Sequence, residues 1–271
     1  MTPFLFDFTL GKPNVKYIKE FTEKMPVPEK RVSDTQNRCP YIIPSIDGIY
    51  KKIERMTYRV DKSKFFSDML ACGAIAIANK TDLAQAEERE QTYLKIINSY
   101  QPAERESLVS VFGDIFALLS SVVYSDGEFN DYLGKLFMRC NVGNKQAGQF
   151  FTPYHISQFM AHVTLDESMV KQKSAANEII TINDPCCGGG GMLIAAMDVL
   201  QNTYGVNYAR DCFADCGDID IRCVHMTYLQ LSLAGVPAVI RHQNTLTREQ
   251  WSVWYTPAFL FQYLRFRKFV V

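Results

Sequence analysis

The spacing of hydrophobic residues changes near the middle of the chain. Between residues 62 and 140, apolar side chains recur every three or four positions, a period that indicates amphipathic helices. From residue 179 onward, short β-branched and apolar runs alternate with further helical stretches. The pattern predicts an α-helical region at residues 61–145, followed by an α/β domain at residues 146–271.

Residues 1–60 lack this periodicity. Six of the eleven prolines fall at or before Pro44, and short apolar and charged clusters alternate between them. We expect an irregular N-terminal arm with one helix near Val15–Lys24. In the helical region, Phe65–Ile77, Glu87–Ile97, Ser107–Tyr124 and Asp131–Met138 are predicted to be helices.

The second half alternates predicted strands with predicted helices. Thr152 and Pro153 suit the start of a helix through Ile156, Met160 and Val163. Beyond this helix, predicted strands and helices follow in the order Ile179–Asn183, Gly191–Thr203, Cys212–Cys216, Ile221–Ala234, Ala238–Arg241 and Trp251–Tyr255. This order predicts a parallel sheet with right-handed crossovers, whose ligand lies beyond the carboxyl ends of the strands.

The most informative stretch joins the first strand to its helix through four consecutive glycines, Gly188–Gly191. Glycines let a backbone approach a ligand closely, and a helix N-terminus offers unpaired N–H groups. A dinucleotide fingerprint would need a third glycine where Leu193 or Ile194 stands. A phosphate loop would need a lysine at the start of the helix. Neither ligand fits this loop.

An acidic residue ends each of the first two strands. Asp184 precedes the glycines and suits a ligand with an ammonium group, and Asp218 is placed to accept hydrogen bonds from both ribose hydroxyls. An amino-acid end combined with a ribose end describes S-adenosylmethionine. The alternative is that both acids only cap the helices that follow them.

Two motifs resemble those of the N6-adenine DNA methyltransferases, in particular the modification subunits of type I restriction systems and related phage or plasmid methylases. The first is Gln149–Pro153, and the second is Asn183–Gly190, in the family's order. The resemblance covers about Gln149 to Phe259. It implies an α/β fold: a Rossmann-like S-adenosylmethionine-dependent methyltransferase domain, incomplete and with a parallel sheet core, preceded by an α-helical N-terminal region.

The resemblance also implies which residues bind the methyl donor. One group holds the methionine end: Phe150, Phe151, Thr152 and Pro153. A second group forms the donor loop: Asp184, Pro185, Cys186, Gly188 and Gly190. A third group holds the ribose and adenine: Asp218, Ile219, Asn244 and Leu246. Asn244 stands where the family usually has an aspartate.

The family's catalytic motif is [Asp/Asn/Ser]-Pro-Pro-[Tyr/Phe/Trp], and the chain contains no Pro-Pro pair. Thr256-Pro257-Ala258-Phe259 stands at the expected place, so the resemblance implies a degenerate motif. Thr256 would accept one N–H of the adenine amine beside Pro257, and Phe259 would stack on the flipped base. The family also implies further strands and a target-recognition region. We expect the tail Tyr263–Phe269 to pack on the domain, with nucleic-acid contact as the alternative.

Composition limits other possibilities. Formal net charge is zero, so composition does not support the basic face typical of nucleic-acid binders. The eight cysteines lack zinc-finger or disulfide spacing and are expected to be buried thiols, and no metal site is predicted. We expect no apolar run to reach the roughly 18–20 residues of a membrane span. The N-terminus has no basic flank of a signal peptide, and we expect a cytoplasmic location without membrane association.

The favoured hypothesis is a DNA methyltransferase that acts on adenine N6 with S-adenosylmethionine. Its DNA specificity is expected to come from a separate partner or from self-association. Two alternatives stay open: a catalytically inactive donor-binding or regulatory (antirestriction) subunit, and methylation of a substrate other than DNA.

Overall fold

The computed structural model describes residues 6–7, 12–13, 43–56, 60–124, 127–140 and 150–270. The helix predicted near residues 15–24 and the loop at residues 141–149 lie outside this part of the chain. Near the N-terminus, β1 (Phe6–Asp7) and β2 (Lys12–Pro13) pair antiparallel.

The predicted helical region is helical. Its helices are α1 (Ile46–Met56), α2 (Lys62–Thr81), α3 (Ala86–Asn98), α4 (Pro102–Tyr124) and α5 (Tyr132–Cys140), with a 3-10 turn at Leu83–Gln85. Asp61 caps α2 by accepting a hydrogen bond from the Lys64 N–H at 2.7 Å.

Helix α1 corrects the expectation of an irregular arm over residues 1–60. Ile49 and Ile53 lie one turn apart on this helix, and both are fully buried. The Ser45 hydroxyl accepts a hydrogen bond from the Gly48 N–H at 3.1 Å and so supports the start of the helix. The many prolines before Pro44 obscured this short amphipathic segment, which begins only after the last of them.

Helix α4 corrects the expectation about apolar runs. It is long and apolar enough, by length and composition alone, to cross a membrane. Core helices of globular proteins pass the same test, and Leu108, Val111 and Ile115 of α4 are buried against the rest of the chain. Asp114, on the same helix, forms an ion pair with Lys52 of α1 at 2.5 Å.

The second half contains the four-stranded sheet and its covering helices. In chain order the elements are α6 (Tyr154–Thr164), α7 (Glu167–Ala175), β3 (Ile180–Asp184), α8 (Gly191–Asp198) with a π-helical turn at Val199–Thr203, α9 (Tyr208–Asp211), β4 (Cys212–Asp218), α10 (Ile221–Leu233), β5 (Ala238–Asn244), β6 (Glu249–Tyr255), α11 (Pro257–Phe261), α12 (Tyr263–Phe266) and a 3-10 turn at Arg267–Phe269.

The sheet order is β3-β4-β5-β6. The first three strands are parallel, as predicted, but β6 runs antiparallel to β5. The expectation of an entirely parallel sheet is therefore wrong at β6. Only residues 245–248 join β5 to β6, and so short a connection makes a hairpin, whereas a parallel crossover needs a dozen or more residues.

Two hydrophobic cores lie on opposite faces of the sheet. The larger core runs without a break from α1 and α2 through α8 and α10 to the sheet residues Cys212, Ala214 and Ile240. The smaller core contains Phe213 and Val239 together with residues of the C-terminal segment. The tail therefore packs on the domain, as expected, with Phe266 fully buried.

Polar contacts also tie the helical region to the sheet. The buried Arg89 of α3 forms an ion pair with Asp82 at 2.8 Å, lies over the Trp254 ring at 4.5 Å and donates a hydrogen bond to the Val253 carbonyl. Beside them, burial lowers the pKa of His225 to about 3, so this histidine is neutral at physiological pH. The helical region and the sheet domain form one packed body.

Candidate functional site

The glycine loop connects β3 to α8 in a tight, left-handed course. Gly188 and Gly190 have positive φ angles of 53° and 87°. A Cβ atom at Gly190 would lie 3.0 Å from the Thr227 hydroxyl, and one at Gly188 would lie 3.1 Å from the Phe151 ring. Both glycines are therefore required by backbone conformation and by space.

Helix α10 holds the loop in place from below. Thr227 donates a hydrogen bond to the Gly188 carbonyl at 2.9 Å, and Gln230 donates one to the Gly189 carbonyl at 2.6 Å. The Gln230 amide also donates to Asp131 at 2.8 Å. These contacts fix the loop carbonyls on the protein side and leave the opposite side of the loop facing a cleft.

The cleft has a volume of about 530 Å³ and lies beyond the carboxyl ends of β3 and β4, as the topology predicts. Its walls come from the glycine loop, from the segment before α6 and from the starts of α5 and α10. The lining residues are Asp131, Phe150, Phe151, Thr152, Ser157, Asp184, Cys186, Cys187, Gly188, Gly189, Gly191, Met192, Asp218, Ile219, Asp220, Arg222 and Cys223.

Asp184 and Asp218 both face this cleft. Asp218 accepts hydrogen bonds from the N–H groups of Gly188 and Asp220, each at 2.9 Å. Asp184 accepts one from the Cys186 N–H at 3.3 Å. Burial raises the pKa of both carboxyls above the usual value for aspartate. Two desolvated carboxyls at one sheet edge form a site for a cation or for hydroxyl donors.

The helix-capping alternative for these acids is wrong. The residues at the N-cap positions of α8 and α10 are Gly190 and Asp220. Asp220 accepts a hydrogen bond from the Arg222 N–H and forms an ion pair with its guanidinium at 2.5 Å. Asp184 and Asp218 are not needed to start the helices and are available to a ligand.

The described lining of the cleft is acidic. Asp131, Asp184, Asp218 and Asp220 contribute four carboxyl groups, and Arg222 is the one basic side chain among the lining residues. Arg222 is already paired with Asp220. The arrangement favours a ligand with a net positive charge over an anionic nucleotide. Among the described residues, no cluster of three or more His, Cys, Asp or Glu side chains is arranged to hold a metal ion.

The structure brings most of the expected donor-binding residues together. Those in the cleft wall are Phe150, Phe151, Thr152, Asp184, Cys186, Gly188, Asp218 and Ile219. Three others shape the wall without lining it: Pro153, Pro185 and Gly190. Pro153 directly precedes α6, and the Pro185 carbonyl accepts a hydrogen bond from the Thr245 hydroxyl at 2.6 Å.

Asn244 and Leu246 do not line the cleft. The Asn244 side-chain oxygen accepts hydrogen bonds from the N–H groups of Leu246 and Thr247, at 3.0 and 3.2 Å. This local turn occupies the acceptor expected for an adenine amine. Leu246 is 94% exposed on the β5–β6 hairpin. Their expected contact with adenine therefore does not fit the geometry.

Thr256, Pro257 and Phe259 lie at the other edge of the sheet. The Thr256 hydroxyl accepts a hydrogen bond from the Ala238 N–H at 2.9 Å and donates one to the Val236 carbonyl at 2.8 Å. Both partners lie at the amino end of β5, whereas the cleft lies at the carboxyl ends of the strands.

Burial also separates these residues from a target base. Thr256 is fully buried, and Phe259 is 1% exposed and packs on Phe213 in the smaller core. Pro257 is the first residue of α11, where proline is favoured. The expected base site at Thr256, Pro257 and Phe259 is contradicted by this arrangement, because these residues start a helix and fill a core.

Among the cleft residues that were not foreseen, Asp131 and Ser157 lie before the glycine loop in the chain. Asp131 lies just before α5 and is 4% exposed, and Ser157 lies on α6 and is 1% exposed. The sequence signal for Ser157 is the pair of small residues Ser157 and Ala161, which lets α6 approach α8 closely. The apolar positions predicted for α6 face outward instead, with Ile156 42%, Met160 39% and Val163 63% exposed.

The cysteines around the loop are of two kinds. Of the cysteines in the described residues, Cys186 is exposed and the others are buried. The expectation of buried thiols is therefore wrong at Cys186, which lies on the open side of the glycine loop. No disulfide joins any of the cysteines in the described ranges.

The fold and cleft together define an α/β domain with a cleft of small-molecule size at a glycine loop. Residues 129–261 match the model of the N-6 DNA methylase family. This match covers just under half of the chain, and it confirms the resemblance of the two motifs to that family.

A search of curated proteins found no match. Among solved structures, the chain is similar to the methyltransferase subunit of a type I restriction-modification system from Streptococcus thermophilus, at 15% identity and a TM-score of 0.36. The similarity covers 76% of this chain and 41% of that subunit, so the chain spans well under half of that protein's length.

Proposed function

We propose that this chain is a DNA methyltransferase component that binds S-adenosylmethionine and serves methylation of adenine N6. The observation that carries the proposal is the cleft at the glycine loop, with Asp184 and Asp218 at the ends of neighbouring strands. The match of residues 129–261 to the N-6 DNA methylase family model supports the same function.

The cleft fits the donor in charge and in hydrogen-bonding groups. S-adenosylmethionine carries a sulfonium, an ammonium and a carboxylate, so its net charge is positive at neutral pH. The acidic lining favours such a ligand. Asp184 would accept hydrogen bonds from the ammonium, and Asp218 would accept them from the ribose hydroxyls. The donor supplies an activated methyl group when bound, and the protein's part is to hold and orient it.

The groups that bind the target adenine must lie elsewhere than at the motif that the family resemblance implied. Because Thr256 and Phe259 are buried at the far edge of the sheet, they do not contribute the base site in this proposal. The zero net charge gives no separate support for direct DNA binding. A partner that supplies DNA specificity, or self-association, therefore remains part of the proposal.

The burial of Thr256 and Phe259 also favours a second candidate, in which the chain binds the donor without turning it over. This candidate corresponds to a donor-binding or regulatory subunit. It shares the donor cleft with the first candidate, and the two differ only in methyl transfer to DNA. A cytoplasmic location is proposed for both.

Calorimetry with S-adenosylmethionine tests donor binding. We expect Asp184→Asn and Asp218→Asn each to weaken binding by about 1.5–3 kcal/mol, the contribution of a hydrogen bond to a charged group. Asp114→Asn, on α4 and outside the cleft, is the matched control and should bind as the wild type does. Absence of binding to the wild-type chain would rule out both candidates.

Transfer of a labelled methyl group to DNA separates the two candidates. The assay uses unmethylated plasmid DNA, alone and with a cell extract that supplies a specificity partner, followed by nucleoside analysis. Labelled N6-methyladenine that depends on Asp184 supports the enzyme. Donor binding without any labelled DNA in either reaction supports the donor-binding subunit.

A further inference from the structure

Ser157 carries a hydroxyl group whose hydrogen-bonding capacity is unused within the described residues. Its Oγ atom is buried and has no hydrogen-bond partner there. The residue lies in the wall of the cleft. A buried hydroxyl without a partner costs free energy, so an unpaired hydroxyl in the wall of a cleft points to a ligand or a water molecule as its partner.

The position of Ser157 is fixed by its helix. One turn earlier in the chain, Tyr154 donates a hydrogen bond to Asp198 of α8 at 3.2 Å, and Gln158 donates another to the same carboxylate at 3.0 Å. These bonds clamp α6 onto α8. Ser157 lies between the two donors on α6, and it lines the same cleft as Gly191 and Met192 at the start of α8.

Asp131 approaches the same end of the cleft from α5. One carboxylate oxygen, Oδ1, accepts hydrogen bonds from the Gly134 N–H and from Gln230, both at 2.8 Å. The other oxygen, Oδ2, lies against Gly191, where a Cβ atom would come within 2.8 Å of it. Asp131 therefore has one oxygen in a structural role and a second oxygen beside the first residue of α8.

We infer that Asp131 and Ser157 join Asp184 in a subsite for the α-amino-acid end of the ligand. Asp131 Oδ2 accepts a hydrogen bond from the ammonium, and the Ser157 hydroxyl donates one to the carboxylate. The inference rests on the proposed function and deepens it. It makes the helical region a part of the ligand site, and it makes the site selective for nucleosides that carry an amino acid.

Three ligands isolate this subsite in calorimetry. S-adenosylmethionine carries the amino-acid end and the sulfonium charge. S-adenosylhomocysteine keeps the amino-acid end without that charge, and 5′-methylthioadenosine lacks both. We expect Ser157→Ala and Asp131→Asn each to lower the affinity for the first two ligands by about tenfold, the effect of losing one such hydrogen bond. Affinity for 5′-methylthioadenosine should stay at the wild-type value.

Both variants are designed to keep the fold. Asn at position 131 retains the oxygen that accepts from Gly134 and Gln230. Ala at position 157 removes an unpaired buried hydroxyl, so the melting temperature without ligand should be equal to or above that of wild type. Ser107→Ala, which removes an exposed hydroxyl of α4, is the control and should change no affinity.

The subsite would be refuted if the variants bound all three ligands equally more weakly than wild type, or if they bound all three as tightly as wild type. A Ser157→Ala variant that melts earlier but binds S-adenosylmethionine normally would assign the hydroxyl a structural role instead. If wild type binds S-adenosylmethionine and only the selectivity is absent, the subsite fails and the proposed function stands. If wild type binds none of the three ligands, both are overturned.

Discussion

Replacement of Thr256 by valine separates a structural role from a catalytic one, because valine has nearly the same shape and lacks the hydroxyl. In the wild type, this buried hydroxyl accepts hydrogen bonds from the N–H groups of Ala238 and Phe259 and donates one to the Val236 carbonyl. It continues the β5–β6 ladder by one position and caps α11 at the same time.

The magnitude follows from the groups that would lose their partners. Two backbone N–H groups and one carbonyl become unsatisfied in a buried place, and each such loss costs about 1 kcal/mol or more. We expect Thr256→Val to lower the free energy of unfolding by about 2–4 kcal/mol. For a chain of this size, the melting temperature should fall by roughly 5–10 °C.

Urea unfolding followed by circular dichroism measures the stability, and calorimetry with S-adenosylmethionine measures donor binding at a temperature where the variant is folded. The dissociation constant should agree with that of wild type within about twofold, since the hydroxyl is remote from the cleft. Thr92→Val on the surface of α3 is the control for the exchange itself. A variant with wild-type stability that has lost methyl transfer would refute this reasoning and restore the catalytic role.

Three further predictions concern the loop, the acids and the core. Gly190→Ala should weaken donor binding and lower the free energy of unfolding by about 1–3 kcal/mol, more than Gly205→Ala does. Both glycines have positive φ angles, but only a Cβ atom at position 190 would lie close to another residue. Thermal unfolding and calorimetry compare the two variants. The pKa of Asp184 is raised above the usual aspartate value of 3.8, and affinity for the donor should fall as the pH drops through this raised pKa, because protonation removes the charge that holds the ammonium. The same protonation favours the folded state, so the free energy of unfolding without ligand should rise as the pH drops. Calorimetry and unfolding across pH should therefore show affinity and stability changing in opposite directions. Arg89→Met should cost about 3–5 kcal/mol in urea unfolding by leaving Asp82 buried and unpaired, and adding Asp82→Asn should recover part of that loss.

Local sequence patterns predicted most of the secondary structure because the relevant signals lie within a few residues. The period of apolar side chains located α2 and α4, and glycines at positions 205 and 235 marked the ends of helical segments. The direction of a strand within a sheet cannot be read from the residues of that strand alone. The antiparallel course of β6 follows from the length of the connection before it, which the apolar pattern of Trp251–Tyr255 does not report.

The site was predictable where it is built from one continuous segment. Asp184 and the glycines lie within eight residues of one another, and both the loop and its acid were correctly placed at the sheet edge. Asp131 reaches the loop from more than fifty residues away in the chain, through Gln230 of α10. Such a contact depends on tertiary packing, and a lone aspartate before a helix looks like an ordinary N-cap.

The incorrect base site has a different cause. A Thr-Pro pair followed by an aromatic residue suits a degenerate catalytic loop, but it equally suits the first turn of a helix. Thr256 provides the cap, Pro257 the first helical residue, and Phe259 an apolar anchor on the sheet. Only the position of this turn, at the amino end of β5, distinguishes the two readings.

The continuous core from α1 to the sheet makes the lifetime of the protein depend on the concentration of its ligand. Because Asp131 precedes α5 and Asp184 ends β3, a molecule that bridges them binds only the fully folded chain. At a ligand concentration one hundred times the dissociation constant, binding adds about 2.7 kcal/mol to global stability. Under the proposed function, the chain would unfold more often and be degraded faster in a cell that exhausts its methyl donor, so the abundance of the protein would follow the donor concentration.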